Sequence, residues 1–124
     1  MFTGQNNLAI STVSLGEIDS LAKQFNYGDK RKASLLNIIS QLYTIDINIK
    51  EIIEQYGTID AYSQGRLIDQ PLHDSSRNMG KNDLWIAATA STYDMELITT
   101  DKDFQHLDGV FFKVRYVDLV RYKA

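Results

Sequence analysis

Residues 77–104 read RNMGKNDLWIAATASTYDMELITTDKDF and place a helix, a strand and a helical turn in close succession. The segment Asp83–Tyr93 is apolar almost all round, which is typical of a helix that neighbouring elements bury. The run Met95–Thr99 predicts a short strand, and Asp101–His106 predicts a helical turn because acids at its start favour a helix N-terminus. A buried helix followed directly by a strand is a unit from which α/β domains are built.

The rest of the chain also alternates short strands with helices. Predicted strands cover Leu8–Val13, Tyr43–Ile47 and Phe111–Val117, and predicted helices run from Ser14 to about Phe25, from about Lys32 to Leu42 and from Asn48 to about Arg66. The second of these helices is predicted to bury an apolar face formed by Leu35, Leu36, Ile38, Ile39 and Leu42. Met1–Asn7 is polar and without pattern, and Asp69–Lys81 is a polar loop. The alternation predicts an α/β fold with a parallel sheet flanked by helices on both faces, in a single domain that spans residues 1–124.

The composition limits the chemistry that the protein can perform. The chain has 124 residues, of which 44% are hydrophobic and 23% charged, which is ordinary for one globular domain. It has no cysteine, which excludes disulfides, thiolate metal sites and thiol catalysis. The two histidines, His73 and His106, are expected on the surface or in loops. Any bound metal must therefore be held by carboxylates, which favours Mg²⁺ or Mn²⁺.

The net charge of −3 is the wrong sign for a protein that binds nucleic acid mainly by counterion release. It does not exclude a nuclease, because a cluster of acids that binds a divalent ion becomes much less acidic when loaded. No apolar run is long enough for a membrane span, and the N-terminus lacks the pattern of a signal peptide. The sequence therefore predicts a cytoplasmic protein.

Acidic residues lie at three predicted strand-to-helix junctions. Glu17 lies four residues past the first predicted strand, Asp83 opens the buried helix, and Asp101 lies two residues past Thr99 with Asp103 close behind. The carboxyl ends of parallel strands meet at one edge of a sheet, where open α/β folds bind ligands. Carboxylates that converge there could hold a divalent ion, which can activate water for attack on a phosphodiester.

Each acid also has a purely structural interpretation. Glu17 follows Ser14 in the spacing of a capping box. Asp83 stands at a helix start, where the helix dipole favours an acid, and Asp101 and Asp103 carry a similar helix-start signature. If these acids were only helix caps in a soluble α/β domain, Asp83 and Asp101 would be expected to lie far apart.

Three basic residues, Arg77, Lys81 and Lys102, flank the acids in sequence. They could contact the phosphates of a nucleic acid. As isolated residues in loops they could equally well be solvated.

Three blocks of the sequence resemble motifs of PIN-domain ribonucleases of the VapC toxin type. Arg77–Ala90 (RNMGKNDLWIAATA) is similar to the family's N-D-x-W-I-A-A-x-A segment, and Leu97–Phe104 (LITTDKDF) to its L-x-T-x-D-x-D-F segment. Ile10–Ile18 (ISTVSLGEI) is similar to its strand followed by T/S-x-x-E-L. The blocks stand in the family's order, at compatible spacing, and are spread over most of the chain, from residue 10 to residue 104.

The resemblance implies a metal-dependent RNA endonuclease with a PIN-like α/β fold, usually the toxin of a toxin–antitoxin pair. In that family the acids that match Glu17, Asp83 and Asp101 hold one or two Mg²⁺ or Mn²⁺ ions, and Asp103 either joins them or caps the turn. The polar residues implied to orient these acids through hydrogen bonds are Asn82, Thr99 and Thr100. The implied partners are RNA, a small antitoxin that inserts a segment into the acidic groove, and a second copy of the chain in a homodimer.

One feature of the family has no counterpart in the sequence. VapC-type PIN domains open with a strand that ends in Asp-Thr-Asn, followed by a helix, and this strand lies in the middle of the sheet. Met1–Asn7 contains no acid, so we expect this strand–helix unit and its aspartate to be missing, with unpaired strands beside the gap. A misplaced gene start, a truncated gene, a fragment and a strand recruited from another molecule are all open explanations. A PIN-like module that binds RNA or an antitoxin without catalysis is the alternative function.

Overall fold

The computed structural model describes residues 1–4, 7–73 and 75–117, so the last residues of the predicted domain, 118–124, lie outside the described part. The strands are β1 (Phe2–Gly4), β2 (Asn7–Ser11), β3 (Tyr43–Ile45), β4 (Glu96–Thr99) and β5 (Val114–Tyr116). The helices are α1 (Thr12–Gln24), α2 (Asp29–Ser40), α3 (Lys50–Ser63) and α4 (Lys81–Thr92), with a 3₁₀ helix at Lys102–Leu107. In these described residues no helix is long and apolar enough to cross a membrane.

The five strands form one mixed sheet in the order β3-β2-β1-β4-β5. Strands β2 and β3 are parallel, as are β4 and β5, whereas the central strand β1 is antiparallel to both of its neighbours. Strands β2, β3, β4 and β5 therefore all run in one direction, and their carboxyl ends share one edge. The predicted α/β class is confirmed, with one reversed strand at the centre of the sheet.

Strand β1 corrects the expectation for the N-terminal residues, in which no pattern indicated a strand. Phe2 pairs with Ala9 on one side and with Leu97 on the other, and its side chain is only 1% exposed. The backbone N–H of Ile98 donates to the carbonyl of Met1 at 2.7 Å. These bonds satisfy the backbone groups of the two neighbouring strands, which would otherwise be left unpaired. The gap that we expected in the sheet is therefore filled by the chain's own first residues.

The hydrophobic core lies between the sheet and the pair of helices α3 and α4. Residues buried in it come from every layer: Phe2, Ala9, Ile59, Tyr62, Met79, Leu84, Ala87, Ala90, Leu97, Phe104, Leu107, Phe112 and Val114. Ala87 and Ala90 are fully buried on α4, and their small side chains allow close packing of this helix against its neighbours. The prediction that this helix is buried agrees with the burial of its residues.

Helix α2 behaves differently from its prediction. None of its residues is buried, and Leu36 and Ile38 are 67% and 53% exposed. The apolar period correctly indicated a helix, but the predicted face is covered only in part. Leu35 and Ile39 are half-buried and line a groove together with apolar residues of helix α1. An amphipathic pattern shows which face is apolar, whereas burial depends on what packs against it.

Helices α1 and α3 each begin two residues away from their predicted starts at Ser14 and Asn48. Helix α1 begins at Thr12, so Ser14 lies inside the helix and does not form a capping box with Glu17. Helix α3 begins after Ile49, and this N-cap residue makes no side-chain capping bond. The nearby Asn48 instead donates its backbone N–H to Asp46 Oδ1 at 3.0 Å. The structural interpretation of Glu17 as a cap therefore fails.

Candidate metal centre

Asp83 is the third residue of helix α4 and is half-buried. The residue at the helix N-cap is Gly80, which has no side chain to cap the helix. An acid in the first turn interacts favourably with the helix dipole. Local structure therefore explains why an acid is tolerated here, and it directs the Asp83 carboxylate towards the carboxyl edge of the sheet.

Asp101 and Asp103 follow strand β4, which ends at Thr99. The backbone N–H of Asp101 donates to Thr99 Oγ1 at 3.0 Å, and Asp101 Oδ1 accepts the backbone N–H of Asp103 at 2.9 Å. Asp101 is thus the N-cap of the 3₁₀ helix, as its structural interpretation predicts. The capping bond uses one carboxylate oxygen, Oδ1, and fixes the direction of the whole carboxylate.

The structure brings Asp83, Asp101 and Asp103 together. Each offers a carboxylate oxygen, and these oxygens all lie within 4.8 Å of one another. Oxygens on opposite sides of a Mg²⁺ ion lie about 4.2 Å apart, because each bond is about 2.1 Å long. Three carboxylates at this spacing can bind one divalent ion with small side-chain adjustments. The expectation that Asp83 and Asp101 lie far apart, which belongs to the capping-only interpretation, does not hold.

The electrostatics of the cluster also fit a cation. The pKa of Asp83 is raised above its ordinary value, first by burial and then by the negative charges of Asp101, Glu17 and Asp103. A carboxylate among like charges is unfavourable unless a cation compensates them. A bound divalent ion would supply that compensation and reverse the direction of the shift.

Glu17 lies at the rim of the cluster. It is exposed on helix α1 and is close enough to Asp83 to raise its pKa. It does not belong to the group of three carboxylates that lie within 4.8 Å of one another among the described residues. Glu17 and Asn82, which precedes Asp83, together line a groove beside the cluster.

The other predicted residues surround the acids at varying distances. The Thr99 hydroxyl accepts the backbone N–H of Asp101, whereas Thr100 is exposed beside it. Lys81 is exposed at the first position of helix α4, and Lys102 Nζ lies 5.7 Å from the centroid of the Tyr116 ring. Arg77 is half-buried, and its backbone N–H donates to the Ser63 carbonyl at 2.7 Å.

Sequence reasoning missed a polar connection between helix α3 and the 3₁₀ helix. His106, predicted as a surface or loop residue, is half-buried, and its Nε2 lies 2.7 Å from Ser63 Oγ. Ser63 is fully buried and also donates to Met79 Sδ at 3.3 Å. The Ser63 hydroxyl has a single hydrogen, which it donates to Met79 Sδ. His106 Nε2 must therefore carry a hydrogen and donate it to Ser63 Oγ. This serine links the 3₁₀ helix, which follows Asp101, to the segment that leads into helix α4. A contact between residues 43 positions apart leaves no local signal in a single sequence.

Comparison with known proteins identifies the family. The model of the PIN domain matches residues 2–110 of the chain. The chain belongs to the PIN domain family. Among curated proteins no sequence matches it significantly.

Solved structures of VapBC proteins share the fold of this PIN domain. VapBC2 from Rickettsia felis, solved with a DNA fragment from its promoter, gives a TM-score of 0.68 at 21% identity, covering 92% of this chain and 77% of that one. VapBC-1 from nontypeable Haemophilus influenzae gives 0.63 at 21% identity with the same coverages, 92% and 77%. VapBC-5 from Mycobacterium tuberculosis, a member of the VapBC family of toxin–antitoxin systems, gives 0.60 at 23% identity, covering 88% and 81%. At these identities the likeness concerns the fold.

The reversed strand β1 bears directly on the acids of this PIN domain. In the family that the sequence resembles, the strand in the middle of the sheet ends in Asp-Thr-Asn, and its aspartate belongs to the acidic cluster. Here the beginning of the strand lies at the carboxyl edge of the sheet, where Met1 pairs with Ile98. Strand β1 consists of Phe2, Thr3 and Gly4 and carries no carboxylate. The described site therefore comprises three clustered aspartates and Glu17 at the rim.

Proposed function

We propose that this PIN domain, a single domain over residues 1–124, is a Mg²⁺- or Mn²⁺-dependent RNA endonuclease. The observation that carries the proposal is the convergence of the Asp83, Asp101 and Asp103 oxygens within 4.8 Å. PIN domains are generally nucleases, and the fold matches VapBC structures. Hard divalent ions prefer carboxylate oxygens, and an acidic cluster at the carboxyl edge of an α/β sheet suits such an ion.

The three aspartates would hold the ion, and Glu17 would reach it from the rim through its longer side chain or through a water molecule. When bound, the ion supplies a more acidic water and positive charge beside the phosphodiester. The N–H of Asp103 holds the Asp101 carboxylate in one orientation, and the Thr99 hydroxyl accepts the backbone N–H of Asp101.

The flanking bases would place the RNA. Lys81 and Lys102 each adjoin a segment that carries an acid, and both are exposed. Contacts from such residues to phosphates fix the register of a nucleic acid but carry no sequence information. Arg77, half-buried four residues before Lys81, would contribute a further phosphate contact or hold the loop that does.

We propose further that the enzyme is the toxin of a type II toxin–antitoxin pair, active in the cytoplasm as a homodimer. The support is the fold shared with VapBC proteins, one of which is described as a toxin–antitoxin system. The small antitoxin would inhibit the enzyme by placing a segment in the acidic groove at Asp83, Asp101 and Asp103, where it would compete with RNA and metal.

RNA cleavage with Mg²⁺ or Mn²⁺ tests the proposal. The wild-type chain should cut RNA only with the ion, and Asp83→Asn should lose activity by a factor of at least about 100, because one ligand charge is removed. Asp29→Asn is a matched control, since Asp29 also stands in the first turn of a helix behind a glycine N-cap. Cleavage that survives Asp83→Asn unchanged would show that the site is assigned to the wrong residues.

The second candidate function is a PIN module that binds RNA or an antitoxin without catalysis. Strand β1 favours it, because the centre of the sheet supplies no carboxylate to the site. Titration with Mn²⁺ by calorimetry separates the two functions. Binding that Asp83→Asn abolishes supports the nuclease, whereas no heat at millimolar Mn²⁺ supports the binding module.

A further inference from the structure

A groove runs along helix α1 beside the acidic cluster. Thr12, Gly16, Ser20 and Gln24 line it at intervals of four residues, which places them on one face of the helix. Glu17, Leu21 and Asn82 complete the described lining, and the groove has a volume of about 530 Å³. All of its lining residues are exposed, so the groove is shallow and open to solvent. Glu17 lines the groove and is close enough to Asp83 for its charge to act on that carboxylate, so the groove lies beside the candidate metal centre.

The lining of the groove suits an uncharged polar ligand. No lysine or arginine occurs among the described lining residues, and Glu17 contributes a negative charge. A phosphate group would be repelled there, whereas hydroxyl and amide groups can be bound by hydrogen bonds. Gln24 Nε2 donates to Ser20 Oγ at 2.7 Å, so the Ser20 hydroxyl hydrogen and Gln24 Oε1 can serve a ligand. The 45% exposed side chain of Leu21 adds an apolar surface.

Gly16 keeps the middle of the groove open. A Cβ atom built at this position meets no atom within 4 Å. A glycine inside a helix costs about 1 kcal/mol relative to alanine. Neither packing nor a left-handed backbone conformation requires glycine here. The free space that it leaves above the helix is part of the groove.

We propose that this groove binds the ribose and base of the RNA nucleotide next to the cleaved phosphodiester. The inference rests on the proposed function, because the metal centre is what places the phosphodiester beside the groove. A ribose 2′-hydroxyl both donates and accepts hydrogen bonds, which matches the hydroxyl and amide groups of Ser20, Gln24 and Asn82. The phosphate then lies against the metal and the flanking lysines, and the sugar lies against α1.

Uncharged ribonucleosides test the groove without metal or catalysis. We expect the four ribonucleosides, added to the ¹⁵N-labelled protein at millimolar concentration, to shift the amide signals of Gly16, Ser20 and Asn82. Their 2′-deoxy counterparts should bind about 2- to 10-fold more weakly, which corresponds to one lost hydrogen bond. Gly16→Leu should abolish the shifts by filling the groove. Gly57→Leu is the matched control, because Gly57 is also an exposed helical glycine, and a Cβ atom added to it would meet no atom within 4 Å.

Both leucine variants should melt at or above the wild-type temperature, since leucine is the better helix former. Ser20→Ala is a second variant that removes the hydroxyl without adding bulk, and it should weaken binding of ribonucleosides more than of deoxyribonucleosides. Shifts that persist in Gly16→Leu, or that occur elsewhere on the protein, would overturn the proposal, as would the absence of any shift in the wild type.

Cleavage assays distinguish this proposal from the proposed function. If the wild type cuts RNA and Gly16→Leu cuts it with unchanged KM, the groove is not a subsite although the nuclease stands. If ribonucleosides bind in the groove but RNA is never cut, the groove stands and the nuclease does not.

Discussion

Replacement of Asp83 by asparagine should make the metal-free protein more stable. The carboxylate oxygens of Asp101 and Asp103 lie within 4.8 Å of that of Asp83. At this separation the repulsion of two unit charges is about 0.9 kcal/mol in the dielectric of water, so two neighbours cost about 1.7 kcal/mol. Loss of the favourable interaction with the helix dipole offsets about 0.3–1 kcal/mol of this gain in stability. The free energy of unfolding should therefore rise by about 1 kcal/mol, or about 4 °C in melting temperature.

When the ion binds, Asp83→Asn should instead be less stable than the wild type. A ligand present at 100 times its Kd stabilises the folded state by about 2.7 kcal/mol, and Asp83→Asn should lose most of that gain. Thermal melts measure the six melting temperatures of the wild type, Asp83→Asn and Asp29→Asn in EDTA and in millimolar Mn²⁺. Asp29→Asn should be slightly destabilised in EDTA and fully responsive to Mn²⁺. If Asp83→Asn is less stable than the wild type in EDTA, the three aspartates do not repel one another in the folded protein as their spacing implies.

Three further perturbations test other parts of the structure. The pKa of Asp83 is higher in the folded than in the unfolded chain. The free energy of unfolding of the metal-free protein should therefore fall as pH rises from about 3.8 through the raised pKa. Urea unfolding in EDTA measures this pH dependence, and Asp83→Asn should lack it. Ser63→Ala should lower the free energy of unfolding by about 0.5–1.5 kcal/mol, because it removes the contacts of the Ser63 hydroxyl with half-buried His106 and with Met79. Equal stability of wild type and variant in urea would contradict the linkage. Leu36→Ala, on the exposed surface of α2, should lower the free energy of unfolding by less than about 1 kcal/mol, whereas truncation of a fully buried aliphatic side chain costs about 2–5 kcal/mol. A loss in the larger range would mean that another surface covers Leu36.

The best-predicted part of the fold was the stretch from helix α4 to the 3₁₀ helix. Its apolar period, its strand and its helix-start acids are local signals that lie within a few residues of one another. The convergence of Asp83 with Asp101 followed from topology, because the first turn of α4 and the end of β4 both lie at the carboxyl edge of the sheet. The assignment of these acids as metal ligands stays a prediction.

What the sequence could not show depends on contacts between distant residues. Strand β1 has three residues, too few for any period, and is a strand because it pairs with β2 and β4 on both sides. The exposure of α2 and the contact between Ser63 and His106 are likewise set by what packs against them. Local patterns predicted the elements themselves, whereas the layers around each element decided burial and polar pairing.

Anomalous X-ray diffraction from crystals soaked in Mn²⁺ is the sharpest test of the metal centre. We predict an anomalous peak among Asp83, Asp101 and Asp103, with carboxylate oxygens about 2.1–2.2 Å from the ion, and no such peak in crystals of Asp83→Asn. An empty position there in fully soaked wild-type crystals, or Mn²⁺ bound only at other carboxylates, would show that these aspartates do not form a metal site.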